Sequence, residues 1–149
     1  MLEDYIRQKV DEKGLLLMAH VVIGYPDLET SFELVKSIVS AGVDLMELQI
    51  PFSEPIADGP VILNANQLAL AKGASVGKSL ACARRLARDF DIPFLFMSYY
   101  NILFKYGVEQ FAAMMADSGL RGAIVPDLPP EEAGDYLSAM SQNNLDPIY

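Results

Sequence analysis

Short apolar segments alternate with amphipathic segments along this chain, an order that predicts strands separated by helices. The apolar segments predict strands at residues 15–23, 44–50, 93–98, 121–125 and from residue 146 onward. Helices are predicted from the opening residues to Gly14, from an N-cap at Asp27 to Gly42, within an added loop and helix at 52–72, and at 75–90, 108–119 and 130–143. The chain therefore has the pattern of a βα repeat.

Two α/β architectures fit this repeat. Four βα units and the start of a fifth strand fit the first half of a TIM (β/α)8 barrel, which normally takes about 250 residues. An open, doubly wound sheet fits a length of 149 residues as well. The segment Ile23-Gly24-Tyr25-Pro26 after the first strand has one glycine, so the fingerprint of a dinucleotide-binding sheet is absent. Length and periodicity alone leave both architectures open.

The segment 45–60 brings two carboxylates to one end of the predicted sheet. Because strand residues alternate faces, Glu47 lies opposite the apolar face formed by Met46, Leu48 and Ile50. Asp58 follows in the loop after this strand. Stability explains an acid on the inner face of a parallel sheet poorly, whereas the carboxyl ends of such strands are where α/β proteins build their sites. Glu47 and Asp58 are therefore candidate site residues.

Several of the candidate residues also have a purely structural interpretation. Glu47 fits a buried acid paired with a lysine, and Asp58 before Gly59-Pro60 fits an N-cap of the next helix. Asp127 precedes an ordinary helix start, so a capping role there competes with a role in a site. His20, in an apolar segment, fits a hydrogen-bonded interior group.

Composition narrows the class of protein. A hydrophobic content of 52% indicates a globular domain, and a formal net charge of -9 argues against a nucleic-acid partner, which would require a basic face. One cysteine, Cys82, and one histidine argue against a His or Cys metal site, and Cys82 is expected to be a buried structural residue. A charged beginning and the lack of any apolar run of about 18 residues lead us to expect a cytoplasmic protein.

The loops after the predicted strands carry a family resemblance. Residues 47–60 are Glu-Leu-Gln-Ile-Pro-Phe-Ser-Glu-Pro-Ile-Ala-Asp-Gly-Pro. The first predicted strand is followed by Tyr25-Pro26-Asp27, the third by Met97-Ser98-Tyr99-Tyr100-Asn101 and the fourth by Val125-Pro126-Asp127-Leu128-Pro129. In order and spacing these segments resemble the tryptophan synthase α subunit family. The resemblance covers essentially the whole chain, but only about the first half of a family member.

The resemblance implies a TIM barrel of which residues 1–149 form the N-terminal half, as a single partial domain. It also implies a lyase of tryptophan biosynthesis that cleaves indole-3-glycerol phosphate to indole and glyceraldehyde 3-phosphate in a retro-aldol step. Glu47 matches the family's acid–base residue, and Asp58 matches the residue that binds the indole N–H. The substrate-pocket positions match His20, Ile62, Met97, Tyr99, Ile124 and Asp127.

The same resemblance implies a partner. No cofactor is implied for this chain, whereas the family's β subunit carries pyridoxal phosphate, joins the α subunit in a heterotetramer and receives indole through a tunnel. The implied partner contacts fall at Glu54, Pro55 and Asn101.

Three residues depart from the family pattern. Gln49 stands at a usual glycine, Glu54 at a usual aspartate and His20 where an aromatic residue is commoner. A related lyase with an altered substrate, because Gln49 occupies substrate space, and a non-catalytic half barrel that self-assembles are therefore the alternatives. Barrels of this kind bind phosphate with loops after strands seven and eight, which lie beyond these residues, so the 149-residue polypeptide alone is expected not to cleave the substrate.

Overall fold

The computed structural model describes residues 2–148, in which helices alternate with strands. The strands are β1 (Met18–Val22), β2 (Leu45–Gln49), β3 (Phe94–Met97), β4 (Gly122–Ile124) and β5 (Asp146–Ile148). The helices are α1 (Leu2–Lys13), α2 (Leu28–Ser40), α3 (Pro60–Ala71), α4 (Val76–Asp89), α5 (Tyr100–Tyr106), α6 (Val108–Asp117) and α7 (Gly134–Gln142), with a 3-10 turn at Pro130–Glu132. Within these residues no helix is long and apolar enough to cross a membrane.

The strands form one parallel sheet in the order β1-β2-β3-β4-β5, so each strand pairs with the next strand along the chain. A doubly wound sheet reverses its strand order at a switch point, whereas a TIM barrel adds its strands in sequence. The observed order therefore decides between the two predicted architectures. The fold is a partial TIM barrel that covers the first βα units.

The outer face of the sheet forms the main core. Met46 and Leu48 on β2 and Phe94 and Phe96 on β3 are fully buried against the helices. These residues occupy alternate positions of their strands, as the sequence pattern predicts, so the residues between them face the inside of the partial barrel. Glu47 and Gln49 lie on that inner face.

Helix α1 covers the lower end of the inner face. Leu2, Tyr5 and Ile6 of α1 pack with Leu45 and Leu95 of the sheet. Lys13 at the end of α1 forms an ion pair with Asp44, whose other carboxylate oxygen accepts a hydrogen bond from the backbone of Leu17 at 3.0 Å. Helix α1 therefore packs over the inner face at the amino ends of the strands, the end opposite to Gln49 and Met97.

Helix starts predicted from single residues are confirmed where a local side chain forms the cap. Asp27 accepts a hydrogen bond from the backbone N–H of Thr30 at 2.8 Å and begins α2, and Ser75 accepts one from Lys78 and begins α4. Gly42 follows α2 with a φ of +97°, which favours glycine.

The structure differs from the predicted elements in two places. Helix α5 was not expected, because a seven-residue helix is marginal by its own sequence and depends on contacts from elsewhere in the chain. The single helix predicted at 130–143 is a 3-10 turn followed by α7, because the backbone at Ala133 has φ of -84° and ψ of 8°, outside the α-helical region.

Candidate functional site

The strand register places the predicted site residues in two layers on the inner face, a lower layer nearer the amino ends of the strands and an upper layer at their carboxyl ends. His20 on β1 pairs with Glu47 on β2 in the lower layer. In the upper layer Gln49 pairs with Met97 of β3, which pairs with Ile124 of β4. The sheet therefore brings together polar and apolar residues that are far apart in sequence, at the carboxyl ends of the strands.

Glu47 is a mostly buried acid without a hydrogen-bond partner among residues 2–148. Its side chain is 17% exposed, and its Oε1 lies 4.0 Å from His20 Nε2. Burial raises the pKa of Glu47, the charge of His20 opposes this rise, and the charge of Asp58 adds to it. The interpretation of Glu47 as an acid paired with a lysine is wrong, since the basic side chain beside Glu47 is the imidazole of His20. A carboxyl group in this environment is suited to exchanging protons.

Asp58 is held by two donors that meet on one oxygen. Gln49 Nε2 donates to Asp58 Oδ2 at 2.7 Å, and the hydroxyl of Tyr99 donates to the same oxygen at 3.0 Å. The N-cap of α3 is Gly59, so the capping interpretation of Asp58 is wrong. The carboxylate is instead tied to β2 and to the residue that follows β3.

Tyr99 joins the loop to the sheet. Its fully buried ring stacks on Phe52 with centroids 5.2 Å apart, and its hydroxyl accepts a hydrogen bond from the backbone N–H of Ala57 at 3.1 Å. Burial raises the pKa of Tyr99 to about 12, so the hydroxyl keeps its proton at neutral pH and remains a donor to Asp58.

Asn66 also positions the loop, and sequence reasoning missed it. The buried side chain accepts a hydrogen bond from the backbone N–H of Phe52 at 2.9 Å and donates to the carbonyl of Ile62 at 2.9 Å. A pattern that could have revealed Asn66 is its place on the face of α3 formed by Ile62, Ala65 and Ala69, where an amide needs a specific partner.

Gln49 and His20, two of the departures from the family pattern, are bonded to each other. Gln49 is fully buried, and its Oε1 lies 2.8 Å from His20 Nε2. The Gln49 side chain thus spans from His20 to Asp58 and is held at both ends. His20 keeps 30% of its side chain exposed and, with Ile62, borders a groove of about 440 Å³ beside β1.

Asp127 caps a helix, but not the helix that follows it in sequence. Its Oδ1 accepts a hydrogen bond from the backbone N–H of Tyr100 at 2.8 Å, at the start of α5. The prediction that Asp127 caps the helix after it is therefore wrong, since Asp127 caps α5. Asp127 binds the loop after β4 to the loop after β3, which carries Tyr99.

The predicted partner contacts differ in accessibility. Glu54 and Asn101 are exposed, whereas Pro55 is buried and accepts a turn hydrogen bond from the backbone N–H of Asp58. Asn101 borders a groove of about 730 Å³, whose wall also includes Phe52, Ser53 and Lys105. Glu54 and Asn101 are therefore accessible at this surface, while Pro55 shapes the loop beneath them.

Other reactive groups contribute little to the site. Burial raises the pKa of the Cys82 thiol to about 11, so the thiolate is scarce at neutral pH. In the part of the chain from residue 2 to residue 148, no group of three or more His, Cys, Asp or Glu side chains could hold a metal ion. Glu47 and Asp58 remain the candidate residues for chemistry at this end of the sheet.

Comparison with known proteins identifies relatives of the whole chain. The family model described as "Tryptophan synthase alpha chain" matches residues 6–149. The tryptophan synthase alpha chains of Syntrophotalea carbinolica and Desulforapulum autotrophicum are 66% and 64% identical to this chain, over 149 residues each. A tryptophan synthase subunit alpha from Legionella pneumophila superposes with a TM-score of 0.92 at 33% identity, and covers 99% of this chain and 56% of that chain.

The matches are partial in one direction. All of this chain aligns with the two curated relatives, but it spans only 59% of the length of each. A solved structure from Aquifex aeolicus, at 40% identity and a TM-score of 0.90, covers 94% of this chain and 56% of that chain. The similarity therefore concerns the strands and loops described above and not the remainder of the relatives.

Proposed function

Since the chain belongs to the tryptophan synthase alpha chain family, we propose that residues 1–149 supply the acid–base part of an active site that cleaves indole-3-glycerol phosphate. The products are indole and glyceraldehyde 3-phosphate, and residues 1–149 form the N-terminal half of one TIM-barrel domain. The proposal is carried by two acids at the carboxyl end of β2: a mostly buried Glu47 on the inner face, with no hydrogen bond from residues 2–148, and Asp58 in the following loop, held by Gln49 and Tyr99.

The reaction needs one proton delivered and one removed. The ring carbon that bears the side chain gains a proton, the adjacent side-chain hydroxyl loses its proton, and the carbon–carbon bond between ring and side chain breaks to leave an aldehyde. Glu47 serves both proton transfers, since burial raises its pKa towards neutral pH and so favours both giving and taking a proton. Asp58 accepts a hydrogen bond from the ring N–H and stabilises the positive charge that develops on the ring nitrogen when the ring carbon is protonated.

The remaining site residues bind or position. Met97 and Ile124, in the layer of Gln49, offer apolar contact to the indole ring, and Ile62 and His20 continue this surface along the groove beside β1. Tyr99 positions Asp58 through its hydroxyl. Asp127 acts indirectly, because it caps the helix that follows Tyr99.

The proposal extends to a partner. A β subunit that carries pyridoxal phosphate docks on the side of Glu54 and Asn101, over the carboxyl ends of the strands, and this chain itself takes no cofactor. The exposure of both residues and the groove beside Asn101 support this placement. The same proposal includes a cytoplasmic location. The alternatives, a self-assembling half barrel and a lyase of altered substrate, have no comparable support, since the relatives named above are alpha chains.

The test uses a chimera in which residues 1–149 are continued by the remaining part of the Syntrophotalea carbinolica relative. Indole release from indole-3-glycerol phosphate is expected, and Glu47→Gln is expected to lower kcat by at least about 100-fold, as removal of a general acid–base group does. The matched control is Glu33→Gln, whose exposed carboxylate pairs with Lys36 on α2. A Glu47→Gln variant with the kcat of the control would refute the assignment.

The 149-residue polypeptide by itself is expected to release no indole. The phosphate-binding loops of such barrels follow strands seven and eight, which lie outside residues 1–149. Indole formed by this polypeptide, at a rate above that of its Glu47→Gln variant, would contradict the expectation.

A further inference from the structure

Gln49 is a buried amide with a polar side chain at each end. Its Nε2 lies 2.7 Å from Asp58 Oδ2, and its Oε1 lies 2.8 Å from His20 Nε2. The residue is fully buried in the central part of the sheet, between β1 and β3. An amide in such a place requires partners for both its oxygen and its nitrogen.

The direction of each hydrogen bond follows from the groups involved. Gln49 Nε2 donates to Asp58 Oδ2, so the NH₂ group of Gln49 faces Asp58 and its carbonyl oxygen faces His20. That oxygen can only accept, so His20 carries a hydrogen on Nε2. The hydroxyl of Tyr99 accepts from the backbone of Ala57, which leaves its own hydrogen for Asp58. His20, Gln49 and Tyr99 thus each donate one hydrogen bond in the series of contacts that ends at Asp58.

The two donors leave one oxygen of Asp58 available. Both Gln49 and Tyr99 donate to Oδ2, while Oδ1 receives no hydrogen bond from residues 2–148. We propose that Gln49, anchored by His20, is a positioning residue that fixes the carboxylate of Asp58 and presents its Oδ1 to the ring N–H of the substrate. This inference rests on the proposed function.

The arrangement gives a loop residue the rigidity of a strand. Asp58 lies in the loop between β2 and α3, where a carboxylate has more freedom than on a sheet. Gln49 ends β2, and His20 lies on the neighbouring strand β1, so hydrogen bonds tie the carboxylate of Asp58 to two paired strands. An oxygen displaced by about 1 Å loses much of its effect on a transition state, which is why such support matters for the rate.

The test compares variants of the same chimera in indole release. Gln49→Leu keeps the approximate size of the side chain and removes both polar contacts. We expect kcat to fall by at least about tenfold with KM changed by less than about threefold, because the contact acts on the transition state through Asp58. The matched control is Gln67→Leu, on an exposed position of α3, and it is expected to keep the parent kcat.

His20 supplies a second, independent set of variants. His20→Phe keeps a ring without the donor and is expected to lower kcat in the same direction, whereas His20→Gln retains an N–H donor and is expected to recover part of that loss. The double variant His20→Phe/Gln49→Leu is expected to match Gln49→Leu alone, since His20 acts through Gln49. Should Gln49→Leu fail to fold, His20→Phe tests the same chain of bonds at a partly exposed position.

A measurement without substrate separates this inference from the proposed function. Nitrogen NMR of the imidazole of His20, assigned by its loss in His20→Phe, is expected to show hydrogen on Nε2 in the parent and a loss of this preference in Gln49→Leu. Hydrogen on Nδ1 alone in the parent, or a Gln49→Leu variant with the kcat of Gln67→Leu, overturns the positioning role. A parent chimera that releases no indole refutes the proposed function instead, while the NMR result still decides the bond between His20 and Gln49.

Discussion

Replacing Tyr99 with Phe removes a single hydroxyl that connects the loop to the sheet. The hydroxyl accepts from the backbone N–H of Ala57 at 3.1 Å and donates to Asp58 Oδ2 at 3.0 Å. The ring is fully buried and stacks on Phe52, and phenylalanine keeps both features. The variant therefore isolates the two hydrogen bonds from the packing.

The magnitude follows from what each partner can recover from water. A hydrogen bond to a charged group contributes about 1.5–3 kcal/mol, and a neutral one about 0.5–1.5 kcal/mol. Ala57 is exposed, so its N–H regains a water, and the half-buried Asp58 is partly compensated in the same way. We therefore expect the free energy of unfolding to fall by about 1–2 kcal/mol, at or below the lower end of the sum, because water replaces part of each lost hydrogen bond.

The assay is urea unfolding of the chimera described above, together with amide hydrogen exchange at residues 57 and 58. Tyr99→Phe is expected to shift the midpoint without changing the slope and to speed exchange at these amides. The matched control is Tyr25→Phe, because Tyr25 is 39% exposed and its hydroxyl makes no hydrogen bond with residues 2–148. Equal stability and unchanged exchange in Tyr99→Phe would refute the view that its hydroxyl orders the loop.

Three further predictions concern stability in the same chimera. Burial raises the pKa of Glu47 above 4.5, so the stability that this group contributes is present below its unfolded pKa and is lost as pH rises through its folded pKa. In urea titrations Glu47→Gln should therefore be more stable than the parent at about pH 8, and the difference in stability should close near pH 4. Gly122→Ala would drive a Cβ into the backbone carbonyl oxygen of Asp146 on β5 and should lower the free energy of unfolding by about 3 kcal/mol. The control Gly134→Ala, with nothing within 4 Å of the added Cβ, should be neutral or slightly stabilising, and equal unfolding midpoints of the two variants would contradict this. Lys13 holds the pKa of Asp44 below its usual value, so this acid contributes stability above pH 3.8 that is lost as pH falls; Asp44→Asn should weaken the protein at neutral pH and flatten its acid unfolding curve, and an unaltered curve would count against the contact.

Much of the fold could be predicted locally. The strands and most helices follow from periodicity, and the starts of α2 and α4 follow from Asp27 and Ser75, because each cap bonds a backbone N–H three residues away. The presence of Glu47 and Asp58 near one mouth follows likewise from strand alternation and from the short distance between them in sequence. Such features depend on residues that are neighbours along the chain.

Tertiary structure decided the rest. Apolar periodicity is the same in a barrel and in a doubly wound sheet. The two are distinguished by the strand order, in which each strand from β1 to β4 pairs with the next strand along the chain. Helix α5 forms at a site where Asp127, 27 positions further along the chain, caps its first N–H. The bond between His20 and Gln49 spans 29 positions, and that between Tyr99 and Asp58 spans 41. A sequence alone specifies which groups can donate or accept, but partners this distant meet only after the strands have paired, so the identity of each partner belongs to the folded structure.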